Sequence, residues 1–175
     1  MRPFLHPQKA LITHCVILLA TGALHAAPVI NEIHYNNDLN YIANEFIELH
    51  NPGPEAVALT GWKLAGGIDF TFPENSLLEA GAYVVVAENP ATLRSEFSSP
   101  TVDLRVLGPY AGGLSGEGET IELIDNSGER IDRVSFDIDF PWPIAADGAG
   151  SSMELIHPDL DNDLGSSWRS SSNNG

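Results

Sequence analysis

The sequence predicts an all-β fold, a sandwich or barrel of eight or nine short strands. Three observations carry this. Short apolar runs rich in β-branched and aromatic residues recur along the chain, as in Val29–Tyr35, Glu45–His50 and Ala82–Ala87. Turn-forming Gly, Pro, Asn and Asp punctuate them at intervals of roughly eight to twelve residues. Only Ala91–Phe97, opened by Asn89-Pro90, reads as a helix, and it is short. The densest part of this pattern is 44–67, NEFIELHNPGPEAVALTGWKLAGG, where two apolar runs flank Asn51-Pro52-Gly53-Pro54 and Thr60-Gly61. Its Trp62 is expected to anchor a core.

Val29–Tyr35 makes a good first strand, followed by a polar, turn-prone stretch, Asn36–Asn40. In the second strand, Glu45–His50, the two-residue period puts Ile47 and Leu49 on one face and Phe46, Glu48 and His50 on the other. Ala56–Leu59 is a short connector or edge strand, and Trp62–Ala65 is the third clear strand. Gly66-Gly67 turns the chain into Asp69–Pro73, where Phe70 and Phe72 alternate with polar neighbours. Ala82–Ala87 is apolar on both faces and so is expected at the centre of a sheet. Asp103–Leu107 is a weak strand, and the Gly-rich Gly108–Gly118 reads as loop. Thr120–Ile124 and Arg130–Phe136 flank Asp125-Asn126-Ser127-Gly128, a hairpin signal. Pro141-Trp142-Pro143 excludes a central strand locally. Met153–Ile156 is a last short strand, and the chain is polar after Asp159.

The N-terminus has a different character. Arg2 and Lys9 precede an apolar run, Leu11–Ala23, and small residues follow at Ala23-Leu24-His25-Ala26-Ala27. This is the order of a secretory signal peptide, residues 1–26, with cleavage after Ala26 or Ala27. The run falls short of the roughly 20 residues of a spanning helix, so no transmembrane segment is expected after signal removal. The single cysteine, Cys15, lies within the signal. The mature domain therefore relies on core packing rather than disulfides. The full chain has 8 Lys and Arg against 24 Asp and Glu, a net charge of −16. Loss of Arg2 and Lys9 leaves six basic residues against 24 acidic ones, or −18. That balance argues against nucleic-acid binding, which needs basic patches.

Phe46-Ile47-Glu48-Leu49-His50-Asn51 followed by Leu59-Thr60-Gly61-Trp62-Lys63-Leu64 resembles the lamin tail domain in its bacterial exported form. Phe72-Pro73, Leu78–Gly81 and Tyr83–Ala87 are similar to the middle of that family. Gly116–Glu119, Ile121-Glu122-Leu123 and Asp125–Gly128 are similar to its last hairpin. Val29-Ile30-Asn31-Glu32-Ile33 resembles the opening of its bacterial members. The likeness covers residues 28–136. Residues 137–169, with Trp142-Pro143, Asp147-Gly148, Ser152–Leu155 and Trp168, resemble an extension of those members and are expected to pack on the domain. Residues 170–175 read as the start of a flexible linker or tail. The Gly-Thr-Pro-Gly segment that often follows in the family is absent, which fits a fragment of a longer protein.

The resemblance implies an immunoglobulin-like β-sandwich with no catalytic residues and no cofactor. It implies a structural or protein-interaction module, secreted or extracytoplasmic, as part of a larger secreted or surface protein. The partner would be an unknown protein or cell-surface component, and downstream domains are expected. With no heptad segment and with an export signal, a nuclear filament role does not transfer.

The best chemical candidate in the residues is Asp159-Leu160-Asp161-Asn162-Asp163-Leu164-Gly165. Alternating carboxylates at Asp159, Asp161 and Asp163 present the hard oxygens that Ca²⁺ takes. The run departs from an EF-hand loop: its Gly comes one place late and Ser170 stands where a bidentate Glu is needed. A solvated acidic turn is the plainer reading, and a Ca²⁺-dependent adhesion module is the alternative. An accessory domain to an enzyme encoded beyond residue 175 is another. Asp137 and Asp139 beside Phe140 and Trp142 form a carboxylate pair of the kind glycosidases use, against the plainer reading of a polar edge. His34, His50 and His157 with Glu32 and Glu48 lack the short spacings of a metal site. No Ser stands in a Gly-x-Ser-x-Gly turn, and Leu114–Gly118 lacks the Lys of a phosphate loop.

Overall fold

The computed structural model of the chain describes residues 27–36, 45–96 and 105–172. The expected signal segment, most of the Asn36–Asn40 turn and the last three residues of the expected tail lie outside the described residues. The strands are β1 (Val29–His34), β2 (Phe46–His50), β3 (Val57–Ala58), β4 (Lys63–Gly66), β5 (Ile68–Thr71), β6 (Leu77–Leu78) and β7 (Tyr83–Ala87). A helix α1 (Pro90–Glu96) separates them from β8 (Val106–Leu107), β9 (Ala111–Gly112), β10 (Glu119–Ile124), β11 (Arg130–Phe136), β12 (Met153–Leu155) and β13 (Trp168–Ser170). One sheet runs β13-β12-β1-β2-β7-β8 and the other β11-β10-β4-β5-β9, with β3 and β6 as a separate pair. Among the described residues the paired strands are antiparallel except β7 with β8. The architecture is an immunoglobulin-like β-sandwich.

Alternation along the strands builds the core. Ile30, Ile33, Ile47, Leu49, Val84 and Val86 of the first sheet join Leu64, Phe70, Ile121, Leu123, Val134 and Phe136 of the second in one apolar cluster. Phe46, on the opposite face of β2 from Ile47 and Leu49, belongs instead to a second cluster with Val85, Ala87, Leu93 and Val106. There α1 lies over the outer face of the first sheet through Leu93. This explains why β7 is apolar on both faces: one faces the second sheet and the other faces the helix.

Tight turns are set by backbone as much as by side chains. Gly66 adopts a φ of 123°, and a Cβ there would lie 2.0 Å from the Thr120 carbonyl oxygen. The Gly66-Gly67 turn therefore fixes how closely β4 approaches β10. Asn51 is fully buried. Its amide donates to the carbonyls of Glu55, Leu78 and Glu79, while its Oδ1 accepts from the Gly53 N–H at 3.0 Å. Its backbone N–H reaches the Ala82 carbonyl and its carbonyl accepts from Gly81. One side chain thus satisfies the carbonyls of two loops that would otherwise be buried without donors.

Three expectations change. Trp62 is only partly buried and packs on the rim of the main cluster, while Trp142 and Trp168 are buried. The residue just before β4 lies at the end of the sandwich, where less of a large ring can be covered. The Gly108–Gly118 stretch is not all loop, because Ala111–Gly112 pairs with Ile68–Asp69 at the edge of the second sheet. It is held there by Glu45, whose Oε2 accepts from Tyr110 Oη at 3.1 Å and Leu114 N–H at 2.7 Å. The polar region after Asp159 contains a further strand, β13. It carries the paired chain through Ser170, and Ser171 N–H still bonds the Ser152 carbonyl. Within residues 137–169, β12 pairs directly with β1.

Trp168→Ala is expected to cost about 3–5 kcal/mol in urea unfolding, as for other buried Trp truncations. Asn51→Ala should cost at least about 2 kcal/mol, because several carbonyls lose one donor group together. Trp62→Ala should cost clearly less than Trp168→Ala. A larger loss at Trp62 would contradict the burial described here.

Candidate functional site

The acidic turn that the sequence singles out lies between β12 and β13. Its three carboxylates do different things. Asp163 turns inward to the edge strand β11. One oxygen accepts from Arg133 Nη2 at 2.6 Å and the other from the Ser135 N–H at 2.6 Å. Asp161 Oδ1 accepts from the Asp163 N–H at 3.1 Å, a local turn bond. Asp159 lies beside His157, whose Nδ1 accepts from the Asp159 N–H at 3.3 Å. Both oxygens of Asp163 are thus already used by the fold. Among the described residues, no group of three or more His, Cys, Asp or Glu is arranged to hold a metal ion.

Asn162, between these acids, is buried and reaches farther. Pairing between β12 and β1 covers Glu32 and Ile33 only. Beyond it, at a register shift in β1, Ile30 is fully buried. Its N–H donates to Asp132 Oδ2 at 2.6 Å, and its carbonyl accepts from Asn162 Nδ2 at 3.3 Å. Asn162 Nδ2 also donates to the same Asp132 oxygen at 2.8 Å, and the Asn162 carbonyl accepts from Trp168 Nε1 at 2.8 Å. Asp132 belongs to one sheet and Ile30 to the other. The turn is therefore a clasp that, together with Asp132 of β11, supplies the missing strand partners of Ile30 and joins the two layers.

A second cluster lies on the outer face of the first sheet. Cross-strand register places Arg169, Glu154, Glu32 and Glu48 in one row over β13, β12, β1 and β2. Arg169 Nη2 pairs with Glu154 at 3.0 Å. Glu32 accepts from the Ser152 hydroxyl, and Glu48 accepts from Asn31 Nδ2 at 2.9 Å. Burial pushes the Glu48 carboxyl up to about 7, against the Asn31 bond and with the help of Glu32 and Glu154. Burial likewise raises Glu32, opposed by Ser152 and aided by Glu154. Within this row, Glu48 is the carboxyl that burial brings toward neutral pH. Glu32 and Glu48 are neighbours, as the sequence allowed, but their third partner is Glu154. The Met153-Glu154-Leu155 alternation puts Glu154 on the outer face, while its place beside Glu32 is set by the strand register.

The histidines do not join this row in a ligand set. His50 stacks on Tyr83 at 4.2 Å, and burial lowers its pKa. His34 packs on Phe46 at 5.3 Å. Register puts His34 and His50 at opposite ends of the β1–β2 pair. His157 is in the acidic turn. Asp137 Oδ1 accepts from the N–H groups of Ile138 and Asp139, so the expected carboxylate pair is closed into a local turn. No helix among the described residues is long and apolar enough to cross a membrane.

The family model described as Lamin Tail Domain matches residues 23–137. No curated protein matches the chain.

Two measurements test the roles of these acids. Below about pH 4.5 Glu48 is protonated in folded and unfolded chains alike; between about 4.5 and 7 only the folded chain keeps the proton. Its contribution therefore weakens the fold as pH rises through that window. Glu48→Gln should match the wild type near pH 4 and be about 1–3 kcal/mol more stable by pH 8. An equal difference at both pH values would contradict the assignment. Asp163→Ala should cost about 1–3 kcal/mol without any metal present, through the lost Arg133 and Ser135 bonds. If Ca²⁺ raised the melting temperature of the wild type but not of Asp161→Ala/Asp163→Ala, the turn would be an ion site instead.

Proposed function

The chain belongs to the lamin tail domain family, and from that premise we propose that it is an exported, non-catalytic module with a structural or protein-interaction role, part of a larger secreted or surface protein. Family members are immunoglobulin-like structural domains, generally without catalysis. One observation carries the reading furthest. Asp132, Asn162, Asp163, Asn51 and Glu45 use their side-chain oxygens and amides to tie strands and loops of the sandwich to one another. Their work is bracing. The residues that carry the role are the apolar core and these braces.

Export rests on the N-terminal pattern of Arg2 and Lys9, the Leu11–Ala23 run and the small residues to Ala27. The mature charge of −18 suits a domain outside the cytoplasm that stays dispersed.

The test is expression of the whole chain in a bacterial host, with fractionation and intact mass of the product. The expected species lies outside the cytoplasm and begins at Ala27 or Pro28. Retention in the cytoplasm with residues 1–26 still attached would overturn the export reading.

A further inference from the structure

The apolar side chains this protein leaves in water are not spread evenly. Seven large hydrophobic residues are exposed among the described residues, and five of them fall between residues 137 and 169. Phe140 is 90% exposed, Ile144 71%, Leu164 53%, Ile156 50% and Leu160 43%. The part of the chain matched by the family accounts only for Leu77 and Tyr83. Single exposed apolar residues are ordinary, but a group confined to one segment is not.

The fold gathers three of these residues around one contact. Trp142 is buried against Gly165: a Cβ on that glycine would lie 2.9 Å from the Trp142 backbone nitrogen and 3.0 Å from its ring. Trp142 also packs on Trp168 with ring centroids 6.2 Å apart. Phe140 and Ile144 stand two residues to either side of Trp142, and Leu164 directly precedes Gly165. The loop at Phe140–Ile144 and the turn at Leu164 are therefore pressed together, with their outer side chains left uncovered. The braces beneath are tight. Asn162 ties the turn to β1, and Asp147 Oδ1 holds Asn36 Nδ2 at 2.6 Å. These residues are thus displayed on a fixed base.

The surrounding charge is of one sign. Residues 137–167 contain seven carboxylates and no Lys or Arg. Arg133 and Arg169 neutralise Asp163 and Glu154. Asp137, Asp139, Asp147, Asp159 and Asp161 stay exposed without a basic partner from Lys or Arg among the ion pairs of the described residues. Apolar side chains rimmed by carboxylates complement a partner that presents apolar side chains flanked by Lys and Arg. The same rim disfavours an anionic lipid surface and a second copy of this acidic chain.

We propose that Phe140, Ile144 and Leu164, with their rim of aspartates, form a docking face for a cationic, apolar segment of another protein. The proposal rests on the interaction role given above and is independent of export. Apart from Asp137, the face lies outside the family-matched region.

The experiment uses the mature chain and a synthetic peptide of Lys and Leu, with a Glu and Leu peptide of the same pattern as its charge-reversed counterpart. Binding is followed by calorimetry at low and high salt, with crosslinking and mass spectrometry to locate the contact. The Lys/Leu peptide should bind, weaken with salt, and crosslink to residues 137–167. Phe140→Ser/Ile144→Ser/Leu164→Ser should bind it at least about tenfold more weakly, the scale of losing central apolar anchors. The substitutions replace exposed side chains, so the melting temperature should hold. Three results would each overturn the proposal: undiminished binding to the triple variant, crosslinks confined to other faces, or equal binding of the Glu/Leu peptide. Failure to bind either peptide would overturn it too, as would a wild-type dimer abolished by the same substitutions, which would make the occupant a second copy. A localisation result bears on export alone, so the two readings fail separately.

Discussion

The two sheets of this sandwich depend on how β1 is completed where its neighbour stops. Ile30 is buried at a register shift, and β12 does not extend far enough to pair with it. A carboxylate from β11 and an amide from the turn before β13 take the two backbone groups. Either one alone would leave a polar group in the core without a partner, and such groups destabilise by about 1–3 kcal/mol each. Asp132 and Asn162 also bond to each other, so the three residues act as a unit. The hairpin β10–β11, the first strand and the C-terminal turn therefore depend on one another, although they are far apart in sequence.

This arrangement gives the acidic turn a bracing role that its charge pattern does not announce. Alternating Asp residues give oxygens on successive positions, which suits a cation only if they converge. Here the backbone aims Asp163 at the edge of β11 and leaves Asp159 and Asp161 outside. An edge strand with an outward N–H needs a cover, and Asp163 supplies it at Ser135. Charge pattern alone carries no information on which way each carboxylate points.

Most of the first sheet was legible in the residues. Two-residue alternation in β2 separated Ile47 and Leu49 from Phe46, Glu48 and His50, and the doubly apolar Tyr83–Ala87 announced a strand covered on both faces. The hairpin at Asp125–Gly128 was equally clear. Strands of two or three residues were not, because Ala111–Gly112 or Trp168–Ser170 is too short to show a period. They exist through tertiary pairing, with Ile68–Asp69 and Met153–Leu155 as templates. The carboxylate row was half legible. Glu32 and Glu48 lie on recognisable strands, but their adjacency to Glu154 depends on a register that no local pattern encodes. Trp62 shows the converse. A large ring in a strong motif suggested a core anchor, while the buried tryptophans belong to the less patterned end of the chain.

The order of strands in the first sheet also has a mechanical meaning. β1 and β13 flank β12 and run in the same direction, since each is antiparallel to it. Ile33, Met153 and Ser170 share one level across the three strands, and Trp168 lies toward the Ile30 end. The polypeptide therefore enters this corner of the sheet at one end and leaves it at the other. Tension between entry and exit would slide β1 and β13 along β12 in opposite senses. It would strain several ladder hydrogen bonds at once instead of opening them one by one. A module set in line between two anchored neighbours would meet a pulling force as shear along these strands.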